Sequence, residues 1–401
     1  MAKTGNLGEF GLPIGDGVRL AAEEINKASR GLNLSGEPGL SLVVGEQPVT
    51  WPVALLSRNT KATPEGGFRA LSRVLDAHPD AAGIVGALAS GVTLAAAGVA
   101  RDRRVVMVSP ASTSPDLAAV DDGDFLFRTV PSDRSQARFM AQQARQRGYR
   151  RAVVLYADNA YGSAFADQLQ AEFGELMGDG AHPDERLLDL IPAAEGQISY
   201  AAVLARAFAA TPDVLFFVGY PVDGALIVSE WHSHPEWYGT RWIISDGLKG
   251  EQFVQAAGAA VVEGMLGTAP APVAGPEHAA FAARYEARFG RAPGVFVANG
   301  YDAAMLIALA TQAAGSLDGG LIRDQLRKVA SGGEPHGATE LPALLSSIRQ
   351  GDDVLYQGVS GLLEMDENGD PRLAAYRTWW VEDGEICDEG SGDPARCLNP
   401  P

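Results

Sequence analysis

Apolar residues along this chain follow two alternating rhythms. Short apolar runs end at a glycine or a small hydroxyl residue, and longer stretches follow with apolar positions at the three-to-four spacing of a helix. Residues 81–117, AAGIVGALASGVTLAAAGVARDRRVVMVSPASTSPDL, show both. Ile84 and Val85 make a strand that stops at Gly86. Ser90 opens a helix carrying Val92, Leu94, Ala97 and Val99, and 105–108 is the next buried strand. Such a βαβ crossover requires a parallel sheet and puts both following turns at the carboxyl ends of neighbouring strands.

The same rhythm recurs elsewhere. The stretch 4–26 reads as a glycine-punctuated loop running into a helix, with Val18, Ala21, Ala22 and Ile25 on its buried face. A strand is predicted at 40–44, then a long loop at 47–61 holding Pro48, Trp51 and Pro52. Thr63-Pro64-Glu65 supplies a cap, a first-turn proline and a first-turn acid for the next helix. Asp133 and Gln136 have capping-box spacing. Strands at 152–158, 212–218 and 242–244 end near Tyr161, Tyr220 and Asp246. A turn at 366–369, Asp-Glu-Asn-Gly, predicts a hairpin pairing 362–365 with 374–381. The predicted class is α/β with doubly wound parallel sheets, and 401 residues are too many for one ordinary core, so two domains are expected.

Composition narrows the function. A formal net charge of −18 excludes the basic stripe of a nucleic-acid binder, and repulsion of that size favours a soluble monomer. No apolar run reaches the roughly 18 residues a membrane span needs. The amino terminus carries no signal-peptide pattern, so a signal segment is expected to be absent from this sequence. Cys387 and Cys397, with nine residues between them, suit a disulfide contributing roughly 2–3 kcal/mol, which would imply an oxidising compartment.

Catalytic patterns are missing. The chain has no Gly-x-Ser-x-Gly elbow and no phosphate-binding Gly-x-x-x-x-Gly-Lys loop. His232 and His234, followed by Pro235, read as a surface turn rather than a metal site. An enzyme, a cofactor and a metal are therefore not expected. What stands out is a seat for a zwitterion. Ser90 and Thr113, beside helix starts, offer hydroxyls and backbone N–H groups to a carboxylate. Tyr161, Tyr220 and Asp246, at three successive strand ends, are expected to share a cleft and to hold an ammonium.

The turns 86–90 (Gly-x-x-x-Ser) and 109–115 (Ser-Pro-Ala-Ser-Thr-Ser-Pro), with FLFRTVPSD at 125–133, LYADNAYG at 155–162 and GYDAAM at 300–305, resemble one family in order along the chain. That family is the extracytoplasmic solute-binding proteins of ABC importers, in the branch that binds leucine, isoleucine and valine. The resemblance implies a type I periplasmic binding protein fold: two doubly wound lobes joined by a three-strand hinge. It places lobe 1 at 1–130 plus 262–357 and lobe 2 at 131–261 plus 358–401. It implies an amino-acid ligand in the interlobe cleft, bound by hinge closure, and a membrane permease as partner, outside the cytoplasm. The implied ligand residues are Phe10 over the side chain, Ser90 and Thr113 on the carboxylate, and the Ser112 carbonyl, Asp246, Tyr161 and Tyr220 on the ammonium. Tyr301 would wall the side-chain end. Two departures are visible. The family carries a longer acid where Asp246 stands, and the apolar first strand that precedes Thr4-Gly5 in the family is not in this sequence. The alternative role on the same fold is a sensory domain recognising an amide or an aromatic acid.

Overall fold

The computed structural model describes residues 1–30, 32, 33, 36–44, 47–177 and 186–389. By its internal contacts the chain divides into two compact units. The first comprises Met1–Thr113, Leu117–Pro131 and Pro272–Ala375; the second comprises Ser114–Asp116, Ser132–Ala271 and Tyr376–Pro401.

The first unit is built on three parallel strands, Ile84–Val85, Met107–Ser109 and Leu126–Arg128. Alternate residues face opposite sides, as strand geometry requires. Val106, Val108, Phe125 and Phe127 join a core with the helix Val297–Ala314 and with Leu20, Ala21 and Ile25 of the helix Gly8–Arg30. Val105, Met107 and Leu126 join a second core with Leu71 and Leu75 of the helix Pro64–Ala77 and with Val92, Ala96 and Ala97 of the helix Ser90–Arg103. Both faces are thus covered, which is why these short strands are apolar up to their carboxyl ends, where Ser109 and Arg128 stand. The two helices of the first core approach so closely that a Cβ on Gly17 would lie 2.6 Å from the Val297 carbonyl oxygen. No larger residue fits there.

The second unit carries a seven-stranded sheet. Its order runs Glu385–Asp388, Tyr376–Glu382, Leu266–Pro270, Arg241–Ile244, Val214–Val218, Arg151–Ala157 and Arg186–Ala193. The first two pairings are antiparallel and the other four parallel. The fifth strand in this order, Val-Leu-Phe-Phe-Val, is wholly buried. Leu215 and Phe217 pack toward the helices Ala201–Ala209, Pro221–His232 and Glu251–Ala257, while Phe216 meets Phe173 of the helix Gly162–Met177 edge-on on the other face.

Several local expectations are corrected. The stretch 4–26 is helical from Gly8, so Phe10 sits on the first turn of the helix Gly8–Arg30, buried at 6% exposure, rather than in a loop. Part of the predicted loop 47–61 is a strand: Gln47–Trp51 pairs antiparallel with Leu40–Val44. The helix Asp133–Gln146 is capped by the Ser132 hydroxyl, which accepts from the Arg134 N–H, and Gln136 instead donates to the backbone and hydroxyl oxygens of Thr268. The turn at 366–369 forms, but it closes only an isolated Met365–Pro371 bridge. The strand Tyr376–Glu382 pairs with Leu266–Pro270 and Glu385–Asp388, because an apolar strand gains more by extending a large sheet than by closing a two-stranded hairpin.

Apart from the short excursion 114–116, chain passages between the units fall at 131/132, 271/272 and 375/376, where the sequence predicts 130/131, 261/262 and 357/358. Hydrogen bonds explain the displaced boundaries. The strand Leu266–Pro270 is bonded on both sides within the second unit. Residues 358–375 stay with the first unit, where Asp302 accepts from the Val359 and Ser360 N–H groups at 3.0 and 2.8 Å and the Arg128 N–H donates to the Gly369 carbonyl at 2.8 Å.

Candidate functional site

Each unit gathers buried polar groups at the carboxyl ends of its strands. In the first unit, the register Val85 to Val108 sets the turns after Ile84–Val85 and Met107–Ser109 side by side. Hydroxyls lock them together. Ser109 Oγ donates to the Ala87 carbonyl at 2.9 Å, Ser112 Oγ to the Leu88 carbonyl at 3.1 Å, and Thr93 Oγ1 lies 2.7 Å from Ser112 Oγ. The Ala87 N–H in turn donates to Thr93 Oγ1 at 3.0 Å, and the Ser112 N–H to Ser109 Oγ at 3.1 Å. Ser90 and Thr113 border this network, both buried at 2% exposure, with Ser90 as the first residue of its helix. Burial strengthens any charge such a turn receives.

The Ser112 carbonyl is differently placed from the expectation. It accepts from Arg128 Nη1 at 3.2 Å. A carbonyl beside a guanidinium is a poor seat for an ammonium, so the expected role is corrected: Ser112 belongs to the frame of the turn.

In the second unit, the neighbouring strands Arg151–Ala157, Val214–Val218 and Arg241–Ile244 deliver Tyr161, Tyr220 and Asp246 to one place. The Tyr161 hydroxyl donates to Asp246 Oδ1 at 2.9 Å and lies 3.0 Å from Ser245 Oγ. The Tyr161 and Tyr220 rings stack, 5.4 Å between centroids and 20° between planes. Gly247 makes this possible, since a Cβ there would stand 2.4 Å from the Gly219 carbonyl and 3.4 Å from both tyrosines. Asp246 is 3% exposed, and no lysine or arginine pairs with it among the described residues. Burial pushes its carboxyl up to about 6, against the pull of hydrogen bonds from Tyr161 and Gln136. Burial likewise holds both tyrosine hydroxyls well above their usual value, helped by Asp246 and Asp133 on each and by Glu195 on Tyr220. Both therefore stay neutral donors around a carboxylate.

The amino-terminal 339 residues match the profile of a family described as periplasmic binding protein. The chain belongs to that family. It is 29% identical over 230 residues to the chemotactic signal transduction system substrate-binding protein BasB of Halobacterium salinarum, covering 56% of this chain and 49% of that one. The chain spans about half the length of this relative and of two Leu/Ile/Val-binding relatives, 49 to 55%. It is 25% identical to the Leu/Ile/Val-binding protein homolog 1 of Brucella suis over 384 residues, covering 95% of this chain and 88% of that one. Among solved structures, a leucine binding protein LivK from Thermotoga maritima superposes with a TM-score of 0.76 at 24% identity, over 97% of this chain and 95% of that one. The fold is the type I periplasmic binding protein fold.

The remaining expected residues of this periplasmic binding protein are placed as follows. Tyr301 is a core residue, fully buried in the helix Val297–Ala314, its ring 5.0 Å from Phe281 and its hydroxyl bonded to Glu24. It packs the first unit instead of walling a ligand. Cys387 is buried on the strand Glu385–Asp388, and Cys397 lies outside the described residues. His234 sits against Glu236 and His232 against the Tyr238 hydroxyl, both on the surface. Among the described residues no cluster of His, Cys, Asp or Glu has metal-site geometry, and no single helix is long and apolar enough to cross a membrane.

Sequence reasoning missed Thr93, Ser109, Gln136, Ser245 and the pair Arg128–Asp370. Arg128 carries a visible signal, a charged residue closing the apolar run 125–127. Thr93 and Gln136 carry none, because hydroxyl and amide residues on a helix are ordinarily solvated.

Proposed function

We propose that this periplasmic binding protein is the extracytoplasmic solute-binding component of an ABC importer, and that its ligand is an amino acid with an aliphatic or aromatic side chain. The observation that carries the reading is Asp246: a buried carboxylate that accepts from the neutral Tyr161 hydroxyl, with no lysine or arginine paired to it among the described residues. Leaving a carboxylate in such a place is costly unless a cation arrives to pair with it. A ligand ammonium fits, assisted by Tyr161 and Tyr220. Ser90 and Thr113, with the backbone N–H groups of their turns, would take the carboxylate. Phe10 would cover the side chain. Binding by hinge closure belongs to the same proposal, since the two charged ends of one ligand call on groups from both units. So do a permease as partner and a monomeric state.

Similarity to Leu/Ile/Val-binding proteins supports the amino-acid class. The Halobacterium relative, chemotactic by its name, favours a second reading, a sensory binding protein with the same site. A thermal-shift screen of purified protein against the twenty amino acids tests the ligand class. A true ligand at about a hundred times its dissociation constant adds about 2.7 kcal/mol of stability. Asp246→Ala should erase that shift, and a shift that survives the substitution would remove Asp246 from the site. Absence of any shift would sink the amino-acid reading. Ligand uptake by vesicles carrying the cognate permease, or its absence there, separates importer from sensor.

A further inference from the structure

In the first unit, Arg128 is 1% exposed at the end of the apolar strand Leu126–Arg128, and its guanidinium is held on two sides. Nε donates to Asp370 Oδ1 at 2.5 Å and Nη2 to the other carboxylate oxygen, while Nη1 donates to the Ser112 carbonyl at 3.2 Å. Asp370 is itself anchored. Its N–H donates to Asp366 Oδ1 at 3.0 Å, its carbonyl accepts from the Asp366 N–H at 2.9 Å, and the Asn368 N–H donates to the same Asp366 oxygen at 2.8 Å. A continuous set of hydrogen bonds therefore runs from the 366–370 turn through Arg128 into the turn holding Thr113.

A buried ion pair seldom repays its desolvation in stability, because apolar residues of similar volume serve as well. What this pair adds is direction, since a planar guanidinium held bidentately has its plane fixed, and with it the directions in which its remaining nitrogen donates. One of those directions meets the Ser112 oxygen. The Ser112–Thr113 peptide is trans. In a trans peptide the C=O and the following N–H point opposite ways. Fixing the Ser112 carbonyl on Arg128 thus turns the Thr113 N–H away from it. Thr113 is 2% exposed, and nothing among the described residues accepts from its N–H. Buried donors are rarely left without an acceptor, and such a group is a place where a ligand completes the account.

We propose that Arg128 and Asp370 are positioning residues that orient the Ser112–Thr113 peptide so that the Thr113 N–H, beside its hydroxyl, meets the anionic end of the ligand. This rests on the reading of that turn as the carboxylate half of an amino-acid site. Neither residue touches the ligand; both act through the peptide plane.

The test compares L-leucine with L-leucinamide, which keeps the ammonium and side chain but lacks the carboxylate, by calorimetry on wild type, Arg128→Lys and the paired Arg128→Met/Asp370→Leu. The paired variant removes both charges together, so it folds without a stranded ion. Both variants should lower the preference for leucine over leucinamide by about tenfold or more, the worth of a charge-assisted hydrogen bond. An equal loss for both probes, or an unchanged preference, overturns the proposal in favour of a purely structural pair. Amide exchange of the ligand-free protein gives a readout independent of any ligand. Exchange at residues 111–114 should accelerate in Arg128→Lys while distant core amides stay protected, and unchanged exchange there overturns the proposal. Should wild type bind neither probe, the amino-acid reading fails, and the exchange result alone decides the positioning role.

Discussion

The Tyr161 hydroxyl donates to Asp246 Oδ1 across 2.9 Å, joining residues 85 positions apart in the chain at the ends of two strands of one sheet. The contact keeps a buried carboxylate partly satisfied while leaving it without a counter-charge. Tyr161→Phe removes that donor and preserves the ring that stacks on Tyr220. Amino-acid affinity is expected to fall about tenfold, in keeping with one hydrogen bond to a charged group. Calorimetry checks it, and full affinity in the variant would show that the hydroxyl does not organise the site.

On the proposed reading of the site, the acidity of Asp246 should make binding pH-dependent. Its carboxyl is pushed up to about 6 by burial in the ligand-free protein, and an ammonium pairs with the ionised form. Above that value affinity should be level; below it, each further pH unit should weaken binding about tenfold, because the proton must leave first. Titrations from pH 7.5 down to 4.5 test this. A flat profile to pH 5 would mean that the ligand takes no charge from Asp246.

Asp302 offers a matching effect on stability. It is fully buried, with Tyr356 Oη and the Val359 N–H on Oδ1 and the Ser360 N–H and Oγ on Oδ2, yet burial outweighs these four donors and lifts its carboxyl to about 6. A carboxyl whose affinity for protons is raised by folding stabilises the native state most when protonated. That contribution is complete below the unfolded-state value and is lost as pH rises to about 6, on the order of 2–3 kcal/mol over the interval. Asp302→Asn cannot titrate. The stability difference between wild type and variant in denaturant melts should therefore shrink between pH 4 and pH 6, and a constant difference would contradict the assignment.

Gly247 is expected to tolerate nothing larger. Gly247→Ala brings a Cβ against the Gly219 carbonyl, so the 246–248 turn must shift. A loss of about 1–3 kcal/mol in stability is expected from such overpacking, with weaker amino-acid binding because Asp246 moves with the turn. An unchanged melting temperature with unchanged binding would show that the turn has slack.

Much of the second unit was legible residue by residue. The strands ending before Tyr161, Tyr220 and Asp246 announce themselves as short apolar runs closed by polar residues, and those three side chains do meet. The turns at 86–90 and 109–113 were equally visible. Phe10 and Tyr301 were harder. Each is an aromatic near polar neighbours in sequence, but a helix buries positions three to four residues apart, and Tyr301 faces the core while its hydroxyl reaches Glu24. The strand Gln47–Trp51 was hidden by Pro48 and by its exposed ends, since an edge strand needs no continuous apolar run.

The α/β class, the parallel crossovers and the polar turns at strand ends are written in local patterns, because those follow from periodicity and turn chemistry within a few residues. Which polar groups are spent on one another emerged with the packing of distant segments. Ser112 lost its carbonyl to Arg128, Gln136 left the cap for Thr268, and residues 358–375 stayed with the first unit through Asp302 and Arg128. Each of those bonds joins residues far apart in the chain, and no local pattern encodes the burial that makes such a bond worth more than water.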